Sequence, residues 1–147
     1  MIGWRVGWVV GPRSIMADIA LVGLTNVVCQ VGIAQQAVAA ALTAPDTEAD
    51  VAQATATWRQ RCDLIVDQLA DYPLVVPHGG WSLLIDTTEL ADSPEQASDR
   101  LFRRGLVAAT PMNGWGPSGR RFLRLVFANE PIERLHDIRT RFETAFS

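Results

Sequence analysis

Between Asp18 and Asp46 the chain carries no charged side chain, and no other feature limits its fold as strongly. Ile15, Ile19 and Val22 mark a helical stripe, residues 35–42 are rich in alanine, and Thr25–Gly32 interrupts the pattern. A helical segment that is apolar on most sides has to be buried on most sides. With 147 residues the chain can build one ordinary core. Little is left to wrap this segment, so its covering surface is expected from the rest of its own domain or from another subunit.

Residues 122–127, Phe-Leu-Arg-Leu-Val-Phe, form the second constraint. A period of two puts Phe122, Arg124 and Val126 on one face and Leu123, Leu125 and Phe127 on the other. Arg124 is then a charge inside a strand that otherwise favours burial. A guanidinium withdrawn from water is costly unless its donors meet a carboxylate, a phosphate or carbonyl oxygens. Two readings stand at this point: an ion pair with one of the chain's own Asp or Glu residues, or a bidentate grip on a substrate carboxylate.

Around these two segments the remaining pattern is that of a small α+β layer. Gly3–Pro12 reads as an aromatic, β-branched strand closed by Gly11-Pro12. It begins the chain almost at once, which suggests that the reading frame starts inside a larger fold. After Pro45 a long amphipathic helix is expected to about Asp71, with Val51, Trp58, Cys62, Ile65 and Leu69 on its buried stripe. Leu74–Val76 and Trp81–Asp86 read as strands joined by the turn Pro77-His78-Gly79-Gly80. Ser93, Pro94 and Gln96 supply a cap, a first-turn proline and a capping-box partner for a helix that Gly105 would stop. Leu106–Ala109 reads as a strand, residues 110–119 as a loop around Trp115, and Ile132, Leu135, Ile138 and Phe142 as the stripe of a last helix. The expected division is residues 1–42, which do not belong to the layer by pattern, and 46–147, which form it.

Composition excludes several functions. A net charge of −3 and a pI near 5.3 do not make a nucleic-acid surface. No apolar run reaches the roughly 18 residues of a membrane span, and Arg5 and Arg13 interrupt the opening, so it does not read as a secretory leader. Cys29 and Cys62 have no metal-ligand spacing around them, and read as small core residues of a reduced, cytoplasmic protein. No metal site is expected. His78 and His136 stand in no motif. All thirteen basic residues are arginine, so no side-chain amine is available for an imine. Trp4, Trp8 and Trp58 are expected in packing, whereas Trp81 and Trp115, next to turns, are candidates for lining a pocket.

Three blocks, in order, carry a resemblance. Met1-Ile2-Gly3-Trp4-Arg5-Val6-Gly7-Trp8 is the first. Trp58-Arg59-Gln60-Arg61-Cys62-Asp63 with Pro77-His78-Gly79-Gly80-Trp81 is the second. The third is Gly105–Pro111, Trp115-Gly116 and Phe122–Ala128. Together they resemble the C-terminal part of pyridoxal-phosphate-dependent aminotransferases of class I/II, over essentially the whole chain. The resemblance implies an α/β to α+β architecture: the end of the cofactor-binding large domain over residues 1–42, then the α+β small domain over 46–147. By that resemblance Arg5 takes the phosphate of pyridoxal 5'-phosphate and Arg124 takes the α-carboxylate of an amino-acid or 2-oxo-acid substrate. A homodimer is implied for the complete enzyme.

Three positions depart from the family pattern: Cys62 replaces an arginine, Met112 stands where glycine is common, and the lysine expected shortly before Gly3 is absent. This chain then holds no catalytic residue, cannot attach the cofactor covalently and is expected to be inactive alone. A non-catalytic carboxylate-binding or interaction protein derived from an aminotransferase is the alternative. A decarboxylase or lyase on the same scaffold is disfavoured by Arg124, which would keep the carboxylate bound.

Overall fold

Pro12 has φ fixed near the helical value and no N–H to leave unpaired, and it stands directly before the first long helix. The computed structural model describes residues 2–147. Met1, the first residue of the first block, lies outside them. After a 3₁₀ turn at Ile2–Trp4 come α1 (Arg13–Val27), α2 (Gly32–Thr43) and α3 (Thr47–Gln68). Next are β1 (Leu74–Val75), β2 (Ser82–Asp86) and α4 (Pro94–Arg100), which runs on into a π turn at Leu101–Gly105. The chain ends with β3 (Thr110–Pro111), a 3₁₀ turn at Pro117–Arg121, β4 (Phe122–Val126), α5 (Ile132–Leu135) and α6 (Ile138–Phe146). The two compact units are Met1–Val51 and Ala52–Ser147.

In the first unit, Gly3–Pro12 does not form the expected strand. Beyond its opening turn the stretch has no ladder partner among the described residues, and a β-branched run without a partner stays irregular. Trp4 and Trp8 are exposed. The break between α1 and α2 falls within the interrupted pattern, where Val28 takes a positive φ of 65°. No side chain of α1 is buried, and Ile15, Ile19, Val22 and Leu24 are all open. Cys29, expected in a core, is exposed on this connection.

The second unit is built on a four-stranded antiparallel sheet in the order β1-β2-β4-β3. Leu83 pairs with Leu125 and Ile85 with Leu123, so both central strands turn the same parity inward. Those four side chains are buried with Ile65 of α3, Leu69 just beyond it, Ala97 and Leu101 of the α4 segment, and Phe142 of α6. Tyr72 stands edge-on to Phe142 at 5.3 Å, and Phe146 lies 6.0 Å from the same ring. The expected stripe is right for Cys62 and Ile65 of α3 and for Leu69 just beyond it, whereas Trp58 and Val51 are exposed.

The start of α4 follows its sequence signals. Ser93 Oγ accepts the Gln96 N–H at 3.2 Å, and Gln96 Oε1 accepts the Asp92 N–H at 3.1 Å. Its end does not. Gly105 stays helical, and the left-handed residue is Leu106, at φ 55°. The N–H groups of Leu106 and Val107 both donate to the Leu101 carbonyl and close the turn. Gly105 serves packing instead: a Cβ there would lie 2.6 Å from the Arg141 carbonyl oxygen on α6. The strand expected at Leu106–Ala109 is displaced to Thr110–Pro111, where the ladder with β4 begins.

Candidate functional site

Arg124 sits at the centre of β4, opposite Leu84 of β2 on one side and Thr110 of β3 on the other. Its neighbours Leu123 and Leu125 enter the core, so the alternation of the strand sends Arg124 to the other face of the sheet. There its guanidinium carbon stands over two indole rings, 5.0 Å from the centroid of Trp81 and 5.0 Å from that of Trp115. The negative faces of the rings replace part of the lost hydration. Among the described residues no carboxylate pairs with Arg124, which removes the internal ion pair as its explanation. Its Nε is buried without a partner. The two Nη nitrogens are neither buried nor bonded and remain able to donate to an oxyanion.

Each indole is placed by its own segment. Trp81 leaves the turn through Gly80, at φ 92°, and its carbonyl accepts the Phe127 N–H at 3.2 Å, which ties it to the end of β4. Trp115 stands on the loop Met112–Gly119. Its N–H donates to the Met112 carbonyl at 2.9 Å, and the Met112 N–H donates to Phe122 at 2.9 Å. Asn113 Nδ2 donates to Glu95 at the start of α4. Gly116 supplies a φ of 97°, and Gly119 leaves room for the Met112 carbonyl. Methionine at 112 is therefore accommodated through its backbone.

Other arginines have structural duties that spacing does not reveal. Arg61 donates through Nη1 to the Ala128 carbonyl just beyond β4. Arg121 pairs with Asp86 at 3.2 Å. Burial would raise the Asp86 carboxyl, but the hydroxyl of Thr88 at 2.6 Å, its N–H at 3.0 Å and the Arg121 charge outweigh burial and hold it below its ordinary value. A lowered native pKa gives stability that is complete above the unfolded value and is lost as pH falls through the native one. Asp86→Asn should therefore flatten the acid side of the stability curve, read as urea midpoints between pH 6 and pH 3. An unchanged acid slope would show that the Asp86 pair does not contribute.

Arg5 belongs to the first unit. It is exposed at φ 54°, and it has no hydrogen bond or ion pair among the described residues. A left-handed arginine with free donors can take a phosphate. His78 and Trp58 line a cleft of about 280 Å³ with Cys62 and Phe127, and Arg124 is not part of its lining. No group of three or more His, Cys, Asp or Glu residues is placed to hold a metal, and no helix is long and apolar enough to cross a membrane, among the described residues.

The profile of the family aminotransferase class I and II matches residues 1–142. The chain is 34% identical over 137 residues to an arginine–pyruvate transaminase of Pseudomonas aeruginosa, covering 90% of this chain and 34% of that enzyme. It is 32% identical over 145 residues to an aspartate/prephenate aminotransferase of Thermus thermophilus, covering 97% and 37%. In fold it is similar to a solved aromatic aminotransferase of Pyrococcus horikoshii, with a TM-score of 0.86, 25% identity and coverage of 97% and 39%. The chain thus spans somewhat over a third of the length of the relatives it matches.

Proposed function

The chain belongs to the class I and II aminotransferases, and from that premise we propose that it works as the C-terminal part of an enzyme moving an amino group between an amino acid and a 2-oxo acid. The observation that carries this reading is Arg124: a guanidinium on a rigid central strand, stacked on two indoles, with no internal carboxylate and with both Nη nitrogens open. It binds the substrate α-carboxylate end-on and so fixes the orientation of the carbon that exchanges its amino group. Trp81 and Trp115 line that side of the substrate site.

Arg5 holds the phosphate of pyridoxal 5'-phosphate, which fits the free donors of an exposed arginine at the left-handed backbone position. When bound, that cofactor supplies the electron sink for the transfer. Residues 1–42 form the end of the cofactor-binding domain and 46–147 the small domain of a cytoplasmic homodimer. An enzyme of this kind also uses a lysine amine, which none of the 147 residues provides. That fact favours a second reading, a carboxylate-binding protein of aminotransferase descent without catalysis.

The two readings separate on the protein recovered from its source cells with an antibody against residues 131–147. The expected product exceeds 16.1 kDa and moves ¹⁵N from labelled amino acids to a 2-oxo acid. A product of 16.1 kDa without transfer leaves the non-catalytic reading.

A further inference from the structure

The geometry points to Trp81 and Trp115 as positioning residues that aim Arg124, so that an incoming carboxylate can meet its guanidinium only along the Nη1–Nη2 end. This rests on Arg124 being the carboxylate ligand. An arginine can offer a carboxylate two forks: the side, through Nε and one Nη, or the end, through both Nη nitrogens. At Arg124 the side fork is closed, because Nε is buried and unpartnered, while both indole centroids stand 5.0 Å from the guanidinium carbon. The end fork is open. A buried N–H left without an acceptor costs stability, and the faces of two aromatic rings are what the surroundings offer to offset it.

The two indoles are not equivalent. Trp81 is tied through its backbone carbonyl to the Phe127 N–H, one residue beyond β4. Trp115 is 63% exposed, and it reaches Arg124 from a loop tied down by its own backbone bonds and by Asn113 on Glu95. Its ring face keeps the guanidinium plane in one orientation before substrate arrives, so less ordering remains to be done on binding.

The test is side-chain NMR of the 147-residue chain, following the Arg124 Nε–H while pyruvate is added, with pyruvamide as the uncharged counterpart. Over ring faces the Nε–H resonates upfield of a free arginine. Trp115→Leu, which removes the ring face but stays apolar, should move it downfield and weaken pyruvate binding about three- to tenfold. Trp115→Phe, which keeps a ring face, should stay within about twofold of the parent. Equal weakening by Leu and Phe, or none by either, overturns the positioning role. If the Leu variant loses its thermal midpoint, the Phe variant decides through its own Nε–H: an upfield position with retained affinity supports the role, and a free-arginine position with retained affinity overturns it. A different failure marks the underlying reading. If Arg124→Lys leaves pyruvate binding unchanged, or pyruvamide binds as well as pyruvate, Arg124 is not the carboxylate ligand.

Discussion

Arg124→Lys should raise the apparent KM for the acid substrate of the complete enzyme by about 30- to 300-fold, a loss of about 2–3 kcal/mol, and leave the cofactor's affinity unchanged. Lysine keeps the charge but not the planar fork, and its ammonium cannot present two parallel donors from the centre of β4. It also stacks less well on Trp81 and Trp115, which lie 5.0 Å from the guanidinium carbon. Arg124→Ala should cost more, since it also exposes the two indole faces to water. Steady-state kinetics with a 2-oxo acid, alongside a titration of pyridoxal phosphate, separates the effects. Equal loss of acid and cofactor binding would show that the substitution disturbs the fold and not the carboxylate contact.

The largest expected effect on stability belongs to Phe142→Ala. Phe142 is completely buried, meets Tyr72 edge-on at 5.3 Å and touches the same core as Leu123 and Leu125. Removing a buried phenyl ring costs about 3–5 kcal/mol, from lost transfer energy and from the cavity left behind. Domains of this size are stable by roughly 5–15 kcal/mol, so the variant should lose a large share of its stability and unfold at a much lower urea concentration. Phe102→Ala is the internal control: that ring is 63% exposed, and its loss should fall within about 0.5 kcal/mol of the parent. Urea unfolding followed by circular dichroism reads both. Similar midpoints for the two variants would contradict the packing described.

Period-two alternation makes β4 legible in the sequence: Leu123 and Leu125 are inside and Arg124 is on the other face. The capped start of α4 was legible for the same reason, that Ser93, Pro94 and Gln96 act on backbone groups within one turn. What could not be read depends on partners distant in sequence. Gly3–Pro12 has strand composition but no ladder partner among the described residues. Leu106–Ala109 has it too, yet pairing with β4 begins only at Thr110. Gly105 looks like a helix stop, and only its approach to Arg141 shows that it is a packing glycine. Trp58 has core spacing on α3 and lies outside the core, because spacing gives a face and not how far the covering layer extends. At the site, Arg124, Trp81 and Trp115 could each be singled out from the chain. Their meeting could not, since it depends on the register of β2 against β4 and on a loop held by Met112 and Asn113.

The same sheet has a consequence for association. Both outer strands are two residues long, and β3 includes Pro111, which has no N–H to offer a neighbour. Pro77 lies two residues beyond β1 on the opposite border. A second chain seeking to add a strand finds almost no unpaired ladder on either side, so fibril-like growth through this sheet is blocked at both margins while its central arginine strand stays long and regular.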